Sequence, residues 1–445
     1  MKRLSLAEIR SLQNDQLGFA LQVAQEMGGV AHLKLLWFDM FLVTEPAVIR
    51  ELLIHHGSRM QRDRFTTQVF KRFMGNGVFV AEGKAWQRQR KLVQPAFHAT
   101  RIQDYVDTMA AYTNEMVAEW RPGQTVVIDD ELTRLTLRII AKTMFDVDLA
   151  AETAVIGRLM KEILTVGEDQ LKMPVLPPTW LPIAGNRRQQ RALRDVKALL
   201  QDIIHQRQAD GEDKGDLLSM LLAARDEEGQ PMSEQQVLDE CITLFVAGHE
   251  TTAAALTWAW YLLAQHPDVA ARLHQETAVV LATEPITFDR LAQMPLLEAV
   301  VKETLRLYPP AFSFAREVIE PFTAAGYHFP RRAMILFSTY ATHHRPDLWD
   351  APEAFRPERF MDPATNPDRY TYLPFGAGSR ICLGNMFAML EAQVILATMV
   401  QRVALTLAKA EPVMTDTVIT LRPRDPLQMQ VGQNWRLAAG AANHP

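Results

Sequence analysis

Apolar residues recur at a helical period through most of the middle of the chain. The pattern extends from residue 152 to residue 281 and is interrupted by the proline-rich segment 173–182. A spacing of three and four residues between apolar positions is typical of amphipathic helices. Runs typical of strands are short and few, and they lie at 31–43, 333–338, 418–421 and 427–431. The pattern is therefore mainly α, with a few short candidate strands.

One helix is predicted to be much longer than the others. Ser233 and Gln236 have the spacing of a helix N-terminal cap, and His266-Pro267 marks the end of the apolar segment that follows. The helix between these signals has about 30 residues, which at 1.5 Å per residue is about 45 Å. A helix of this length is expected to cross the whole molecule.

The centre of this helix carries residues that weaken it locally. Gly248 costs about 1 kcal/mol relative to alanine, and the Thr251 hydroxyl can bond back to the carbonyl of Ala247. Glu250 places an acid beside this alcohol, and we expect His249 to lie on the helix surface. The residues alone leave two interpretations open, an ordinary core helix or a groove that holds a small ligand.

A glycine-rich turn near the C-terminus carries the most specific chemical signal. The segment 375–384 contains Cys382 and three glycines, and a helix is predicted to follow it. Glycines permit a tight turn, and the amides at a helix N-terminus can lower the pKa of a thiol. Arg380 adds a charge suited to carboxylates, and Phe375 can shield the sulfur from water. A cysteine alone would more often be a small buried apolar residue, whereas this combination suits a thiolate ligand to iron.

This turn resembles the haem-binding signature of the cytochrome P-450 family of haem-thiolate monooxygenases. The matching residues are Phe375, Gly378, Arg380, Cys382 and Gly384. The resemblance implies a haem b cofactor (iron-protoporphyrin IX) with Cys382 as its axial thiolate ligand and with Phe375 and Arg380 beside the cofactor. It also implies the cytochrome P-450 fold, a large helical lobe around the haem with a smaller β-rich lobe. Residues 1–445 would form a single haem domain with no fused reductase.

Two motifs upstream resemble further parts of the family pattern. Glu303 and Arg306 lie three apart on a helix, and with Arg359 they would form a structural network that holds the cysteine turn. Trp86 and Arg90 lie four apart and would bind the haem propionates. Each pair alone is common on ordinary helices. Arg316 is a further propionate candidate.

The resemblance also assigns roles within the long helix and around the substrate. Ala247 and Gly248 would leave room for dioxygen, and Glu250 with Thr251 would deliver protons. The substrate pocket is predicted to be apolar, and the segment 173–182 resembles the loop that covers it. The residues expected to line the pocket are Phe79, Ala247, Ala311, Phe312 and Ile419.

Composition sets the remaining bounds. The chain has 445 residues, of which 48% are hydrophobic and 22% charged, with a net charge of −5. This balance is that of an ordinary globular protein, and it argues against a nucleic-acid partner. The two cysteines give no disulfide framework, which fits a reducing cytosol. The first 28 residues lack a signal peptide or a run of about 18 apolar residues, so we expect no membrane anchor. Together with the resemblance, this implies a cytoplasmic, monomeric protein of the bacterial type.

The resemblance therefore implies a monooxygenase that inserts one atom of O2 into a lipophilic substrate. About 60 residues follow Cys382 and show no flavin or iron–sulfur motif, so electrons from NAD(P)H would come through a separate ferredoxin or flavodoxin and its reductase. A peroxygenase or isomerase on the same fold is the nearest alternative, although such relatives usually lose the acid or the threonine. A haem-thiolate sensor and a helical binding protein without haem remain as further alternatives.

Overall fold

The computed structural model describes residues 1–35, 38–146, 153–173, 175–282, 284–362, 364 and 367–432. These residues form two compact units. Unit 1 comprises residues 1–65, 298–385 and 413–424, and unit 2 comprises residues 66–297, 386–412 and those from 425 onward.

Helices make up most of the described chain. Their bounds are α1 (Leu6–Asn14), α2 (Gln16–Met27), α3 (Pro46–His55), α4 (Arg64–Met74), α5 (Gly83–Val93), α6 (Ala99–Ile102), α7 (Val106–Ala118), α8 (Ile128–Phe145), α9 (Thr153–Leu171), α10 (Ala184–Asp210), α11 (Leu217–Ala223), α12 (Glu234–Gln265), α13 (Pro267–Leu281), α14 (Phe288–Leu291), α15 (Pro295–Leu307), α16 (Thr339–His343) and α17 (Asn385–Arg402). The mainly α class expected from the sequence is confirmed.

Strands are short and belong to four small sheets. Their bounds are β1 (Lys2–Arg3), β2 (Val30–Leu35), β3 (Phe38–Val43), β4 (Met60–Gln61), β5 (Thr125–Val127), β6 (Phe314–Val318), β7 (Phe322–Ala324), β8 (Tyr327–Phe329), β9 (Met334–Phe337), β10 (Leu405–Leu407), β11 (Thr415–Thr417), β12 (Leu421–Pro423) and β13 (Gln428–Val431). The strand order is β1-β2-β3-β9-β6-β4 in the largest sheet, β10-β13-β5 in the next, and the pairs β11-β12 and β7-β8 form the other two.

Unit 1 is built on the six-stranded sheet. Strands β2 and β3 form an antiparallel hairpin, β3 pairs with β9 in parallel, and β9 pairs with β6 antiparallel. Helix α3 packs on this sheet through its apolar face. Ile49 and Leu52 of that face are fully buried in one cluster with Phe41, Ile335 and Phe337 of the sheet. Leu373 and Ala377, which lie before and within the cysteine turn, belong to the same cluster.

Unit 2 is built around the long helix α12. Ser233 caps its start by accepting a hydrogen bond from the Gln236 amide, and the helix has 32 residues, so its predicted limits are confirmed. Helix α8 packs along it, with Phe145 against Phe245 at a ring separation of 6.0 Å. Trp258 on α12 is fully buried. The apolar character of α12 on all sides explains why it forms the centre of this unit.

Most strand predictions are confirmed, and one is wrong in position. The predicted strands at 31–43, 333–338 and 427–431 correspond to β2 with β3, to β9 and to β13. At 418–421, by contrast, residues 418–420 form the bend that joins β11 to β12. The run of β-branched residues there resembles a strand, but its flanking residues pair with each other, Thr417 opposite Leu421, so the chain must reverse between them.

None of the helices in the described part of the chain is both long enough and apolar enough to cross a membrane.

Candidate functional site

The cysteine turn is held in place by its own backbone and by α3. The Cys382 amide donates to the Phe375 carbonyl at 3.0 Å, which closes the turn. Gly376 and Gly378 have φ of 68° and 73°, values that only glycine adopts without strain. A Cβ on Gly378 would lie 3.2 Å from the Leu53 side chain of α3. The turn thus needs glycine there for its conformation and for close packing.

The two cysteines differ in a way that decides which could bind iron. Cys241 is buried within α12, and burial raises the pKa of its thiol well above the ordinary value, so it stays protonated. Cys382 is exposed and lies three residues before α17 begins. An accessible sulfur at a helix N-terminus is the donor that a haem-thiolate site requires. The described residues contain no group of three or more His, Cys, Asp or Glu side chains that could hold a metal ion by themselves.

Glu303, Arg306 and Arg359 form one buried network in unit 1. The Glu303 carboxylate accepts from Arg306 Nε at 2.8 Å and Nη2 at 2.9 Å, and from Arg359 Nε at 3.2 Å. It also accepts from the Arg356 amide at 2.9 Å. Both Glu303 and Arg306 are 0% exposed. The geometry that the sequence pattern implied is therefore present, and it fixes the segment around residue 356 to α15.

Arg306 extends this network to backbone carbonyls. Its Nη1 donates to His343 O at 2.9 Å and to Pro352 O at 2.7 Å, and its Nη2 donates to Ala354 O at 3.1 Å. The end of α16 and the segment 352–354 thus meet α15 at one guanidinium. Sequence spacing could not have predicted these acceptors, because backbone carbonyls leave no signature in the side chains.

In unit 2, the centre of α12 has an unusual set of hydroxyl contacts. The Thr251 hydroxyl donates to Ala247 O at 2.9 Å, as the sequence predicted, and the Thr252 hydroxyl donates to Gly248 O at 3.3 Å. The Thr136 hydroxyl of α8 donates to the next carbonyl, that of His249, at 3.0 Å. Three consecutive carbonyls therefore accept hydrogen bonds from side-chain hydroxyls as well as from the backbone amides of the helix. This sharing weakens the backbone hydrogen bonds of the helix at that point.

The same stretch contains an accessible patch in an otherwise buried helix. Between residues 241 and 263, every residue of α12 is buried except Ala247, Gly248, Glu250 and Thr251. Small and polar residues that remain accessible at the middle of such a helix are the feature expected where a cofactor and a small ligand bind.

Gly248 has a second role that sequence reasoning missed. A Cβ at this position would clash with the Ile140 side chain of α8, well inside 3.0 Å. The glycine therefore also permits the close approach of two helices.

His249 corrects a prediction. It is 3% exposed, and its ring Nδ1 donates to Phe245 O at 2.7 Å, so it is a core residue and does not lie on the helix surface. Burial lowers its pKa, which keeps the ring neutral. The prediction failed because α12 is buried on nearly all of its circumference, and the accessible positions at its centre are limited to Ala247, Gly248, Glu250 and Thr251.

Two buried carboxyl groups near α12 were also missed by the sequence. Glu391 of α17 is 0% exposed, and burial raises its pKa to about 8, an effect that Thr252 opposes in part. Glu240 of α12 is likewise 0% exposed, burial raises its pKa to about 8, and it accepts from the Val78 amide at 2.8 Å. A glutamate on a helix normally faces solvent, so nothing in the sequence marks these two as buried.

Glu240 and its neighbour Asp239 fix the loop that carries Phe79. Asp239 accepts from the Asn76 amide at 2.7 Å, and a Cβ on Gly77 would clash with Thr243. The loop therefore lies directly on α12. Phe79 itself is partly buried, and its ring meets Phe70 edge-on at 5.1 Å.

The remaining candidates are placed as follows. On α5, Arg90 lies 5.9 Å from the ring centre of Trp86, so the two share a helix face as predicted. Arg316 on β6 is 8% exposed and donates to Ala315 O. Arg380 is partly exposed in the cysteine turn.

Three pocket candidates lie in one region of unit 1. Ala311 is exposed and Ile419 partly exposed, while Phe312 is buried in a cluster with Leu17 and Leu421. The Leu421 amide donates to Pro310 O at 2.9 Å, which joins the bend around residue 419 to the segment that holds Ala311.

The chain is similar to known proteins over most of its length. The family model described as cytochrome P450 matches residues 4–431. The chain is 35% identical to cyclooctat-9-en-7-ol 5-monooxygenase of Streptomyces melanosporofaciens, over 81% of this chain and 79% of that protein. It is 33% identical to pentalenene oxygenase of Streptomyces avermitilis, over 77% and 78% of the two chains.

A solved structure gives the same result for the fold. The retinoic acid-bound cyanobacterial CYP120A1 superposes with a TM-score of 0.85 at 28% identity, covering 95% of this chain and 96% of that one. The cytochrome P450 fold expected from the sequence is thereby confirmed. The chain belongs to the cytochrome P450 family of haem-thiolate monooxygenases.

Proposed function

We propose that this enzyme inserts one atom of O2 into a C–H or C=C bond of a lipophilic substrate, with residues 1–445 acting as one haem domain. The observation that carries the proposal is the accessible acid and alcohol, Glu250 and Thr251, in the middle of the otherwise buried α12. Relatives of the family that do not activate O2 usually lose one of the two. Their retention favours an oxygenase over a peroxygenase, an isomerase or a sensor.

Cys382 would hold haem b through its thiolate, with Phe375 shielding the sulfur. Thiolate-ligated haem supplies the activation of O2 when it is bound. The cationic and N–H donors proposed to hold the carboxylates of the cofactor are Trp86, Arg90, Arg316 and Arg380. All four carry donors suited to carboxylate oxygens.

Proton movement is the part that α12 would perform. Glu250 would take up a proton from solvent. The Thr251 hydroxyl oxygen would then hold that proton, because the hydrogen bond from this hydroxyl to Ala247 O fixes the oxygen on the accessible face. The small side chain of Ala247 would leave space beside that hydroxyl.

The substrate is proposed to be an unsaturated, largely hydrocarbon molecule. The two Streptomyces relatives are named for cyclooctat-9-en-7-ol and pentalenene, and the structural relative binds retinoic acid. Phe79, held by its loop on α12, would be the principal apolar contact, with Ala311 and Ile419 as further wall residues and Phe312 supporting them from the core. Burial of such a molecule would supply roughly 25 cal/mol per Å2 of apolar surface.

Electrons are proposed to reach the enzyme from NAD(P)H through a separate ferredoxin or flavodoxin and its reductase.

Threonine variants of α12 test the oxygenase proposal. Thr251→Ala should keep O2 and NAD(P)H consumption with a surrogate redox partner but release most of the oxygen as hydrogen peroxide, because the accessible hydroxyl is gone. Thr252→Ala is the matched control, since this neighbour is buried and has the same bond to the carbonyl four residues earlier. Equal coupling in wild type and Thr251→Ala would contradict the proposed proton role.

Substrate binding is tested separately. Pentalenene, retinoic acid and a polar control such as a short peptide would be titrated while the haem absorption is followed for the low-spin to high-spin change. We expect the change with the hydrocarbons and a weaker affinity in Phe79→Ala. A response to the peptide alone would refute the proposed substrate class.

A further inference from the structure

His343 uses both ring nitrogens in the interior of unit 1. It ends α16 and is 0% exposed. Its Nδ1 lies 3.1 Å from the Arg306 carbonyl, which can only accept, so Nδ1 carries the proton. Its Nε2 accepts from the Leu373 amide at 2.8 Å. These two bonds specify the neutral ring with its proton on Nδ1.

The two bonds connect the buried ion-pair network to the cysteine turn. Arg306 is bound to His343 twice, because its Nη1 also donates to the His343 carbonyl at 2.9 Å. On the other side, Leu373 is the residue whose carbonyl accepts from the Gly376 amide at 3.0 Å, at the start of the turn that closes on Cys382. The Tyr372 ring stacks on the His343 ring at 5.3 Å, which fixes the ring plane.

We propose that His343 is a positioning residue for the cysteine turn, tying α15 to the backbone that leads into Cys382. The Glu303 and Arg306 pair fixes the imidazole, and the imidazole fixes Leu373. This inference rests on the proposed role of Cys382 as the haem ligand. It adds that the link works only while the imidazole is neutral, since a proton on Nε2 would face the Leu373 N–H and remove the acceptor.

The groups around the ring favour the neutral form. Burial is the main cause of the strongly lowered pKa of His343, and the nearby His344 and the Arg306 cation add to it. The Glu303 carboxylate accepts from Arg306, and the Glu353 carboxylate lies 3.9 Å from Nε2 of the neighbouring His344. Tyr372 stays protonated, because burial raises its pKa well above the ordinary value. The backbone hydrogen bonds to Arg306 and Leu305 act in the opposite direction on the pKa of His343, but burial outweighs them.

The test uses the holoenzyme and three variants. His343→Phe keeps an aromatic ring but leaves the Leu373 amide and Arg306 carbonyl without partners. His343→Gln places an amide oxygen where Nε2 accepts. His344→Phe is the control, because this buried neighbour bonds to Tyr340 O at 2.8 Å and not to the cysteine segment. For each, the fraction of the ferrous–CO complex with the red-shifted thiolate band is measured beside the thermal unfolding temperature.

We expect His343→Phe to lose most of the thiolate band, His343→Gln to keep it, and His344→Phe to keep it despite a comparable loss of thermal stability. An unchanged band in His343→Phe would overturn the inference. Absence of the band in wild type would instead overturn the role of Cys382.

A titration with acid keeps the inference testable if His343→Phe fails to fold. Glutamine cannot take up the proton, so the pH at which half of the thiolate band is lost should be lower in His343→Gln than in wild type by about half a unit or more. Equal midpoints in the two proteins would overturn the inference.

Discussion

Replacement of Glu303 by glutamine should be among the most destabilising isosteric changes in unit 1. The carboxylate accepts four hydrogen bonds, from Arg306 twice, from Arg359 and from the Arg356 amide, and it is 0% exposed. Glutamine keeps one oxygen and places an NH2 group where the other accepted. At least one charged hydrogen bond is lost, and a donor then faces the Arg306 guanidinium.

The magnitude follows from the burial of the partners. A hydrogen bond to a charged group is worth about 1.5–3 kcal/mol, and loss of one partner of a buried ion pair costs about 3–5 kcal/mol because the other charge stays buried. We therefore expect the free energy of unfolding to fall by about 3–5 kcal/mol in Glu303→Gln.

The same helix offers a matched control. Glu298 pairs with Lys302 at 2.7 Å, and the Glu298 side chain is 49% exposed. Solvent screens such a pair, so Glu298→Gln should cost no more than about 0.5 kcal/mol. Urea unfolding followed by circular dichroism would measure both. If Glu303→Gln were no more destabilising than Glu298→Gln, the assignment of the network as a structural support would be refuted.

Further predictions concern unit 2. Gly248→Ala should lower the unfolding free energy by about 1–3 kcal/mol, because its methyl group would overlap the Ile140 side chain. The double variant that adds Ile140→Val should recover part of this loss. Thermal unfolding of the two single variants and the double variant measures the recovery, and losses that simply add would show that the two side chains do not meet. Glu391 has a pKa raised from 4.5 to about 8, so its folded form holds a proton that the unfolded form releases, and stability falls as pH rises through that window. Glu391→Gln should remove about 1.4 kcal/mol of this fall per pH unit. Urea unfolding midpoints of wild type and Glu391→Gln would be measured at pH 5 and pH 8, and an equal change between the two pH values in both proteins would contradict the prediction.

Elements with strong local signals could be predicted from the sequence. The limits of α12 were predictable because Ser233 and Pro267 act within one turn of the helix ends. The bond from Thr251 to Ala247 was predictable for the same reason, since both groups lie in one helix. The glycine turn around Cys382 was predictable because glycine adopts the positive φ found at Gly376 and Gly378 without strain.

Features that depend on long-range packing could not be predicted. The burial of His249 and Glu391 depends on what covers their helices, which spacing along one helix does not reveal. The need for Gly248 arises from α8, which lies over a hundred residues earlier in the chain. The role of His343 depends on carbonyl and amide groups from two other segments.

The most direct measurement is the ferrous–CO absorption spectrum of the purified haem-loaded protein and of one variant at each cysteine. Wild type and Cys241→Ala should both show the red-shifted band of thiolate-ligated haem, because Cys241 is buried and protonated. Cys382→His should lose it. An unshifted band in wild type, or a shifted band that survives in Cys382→His, would contradict the assignment of Cys382 as the iron ligand.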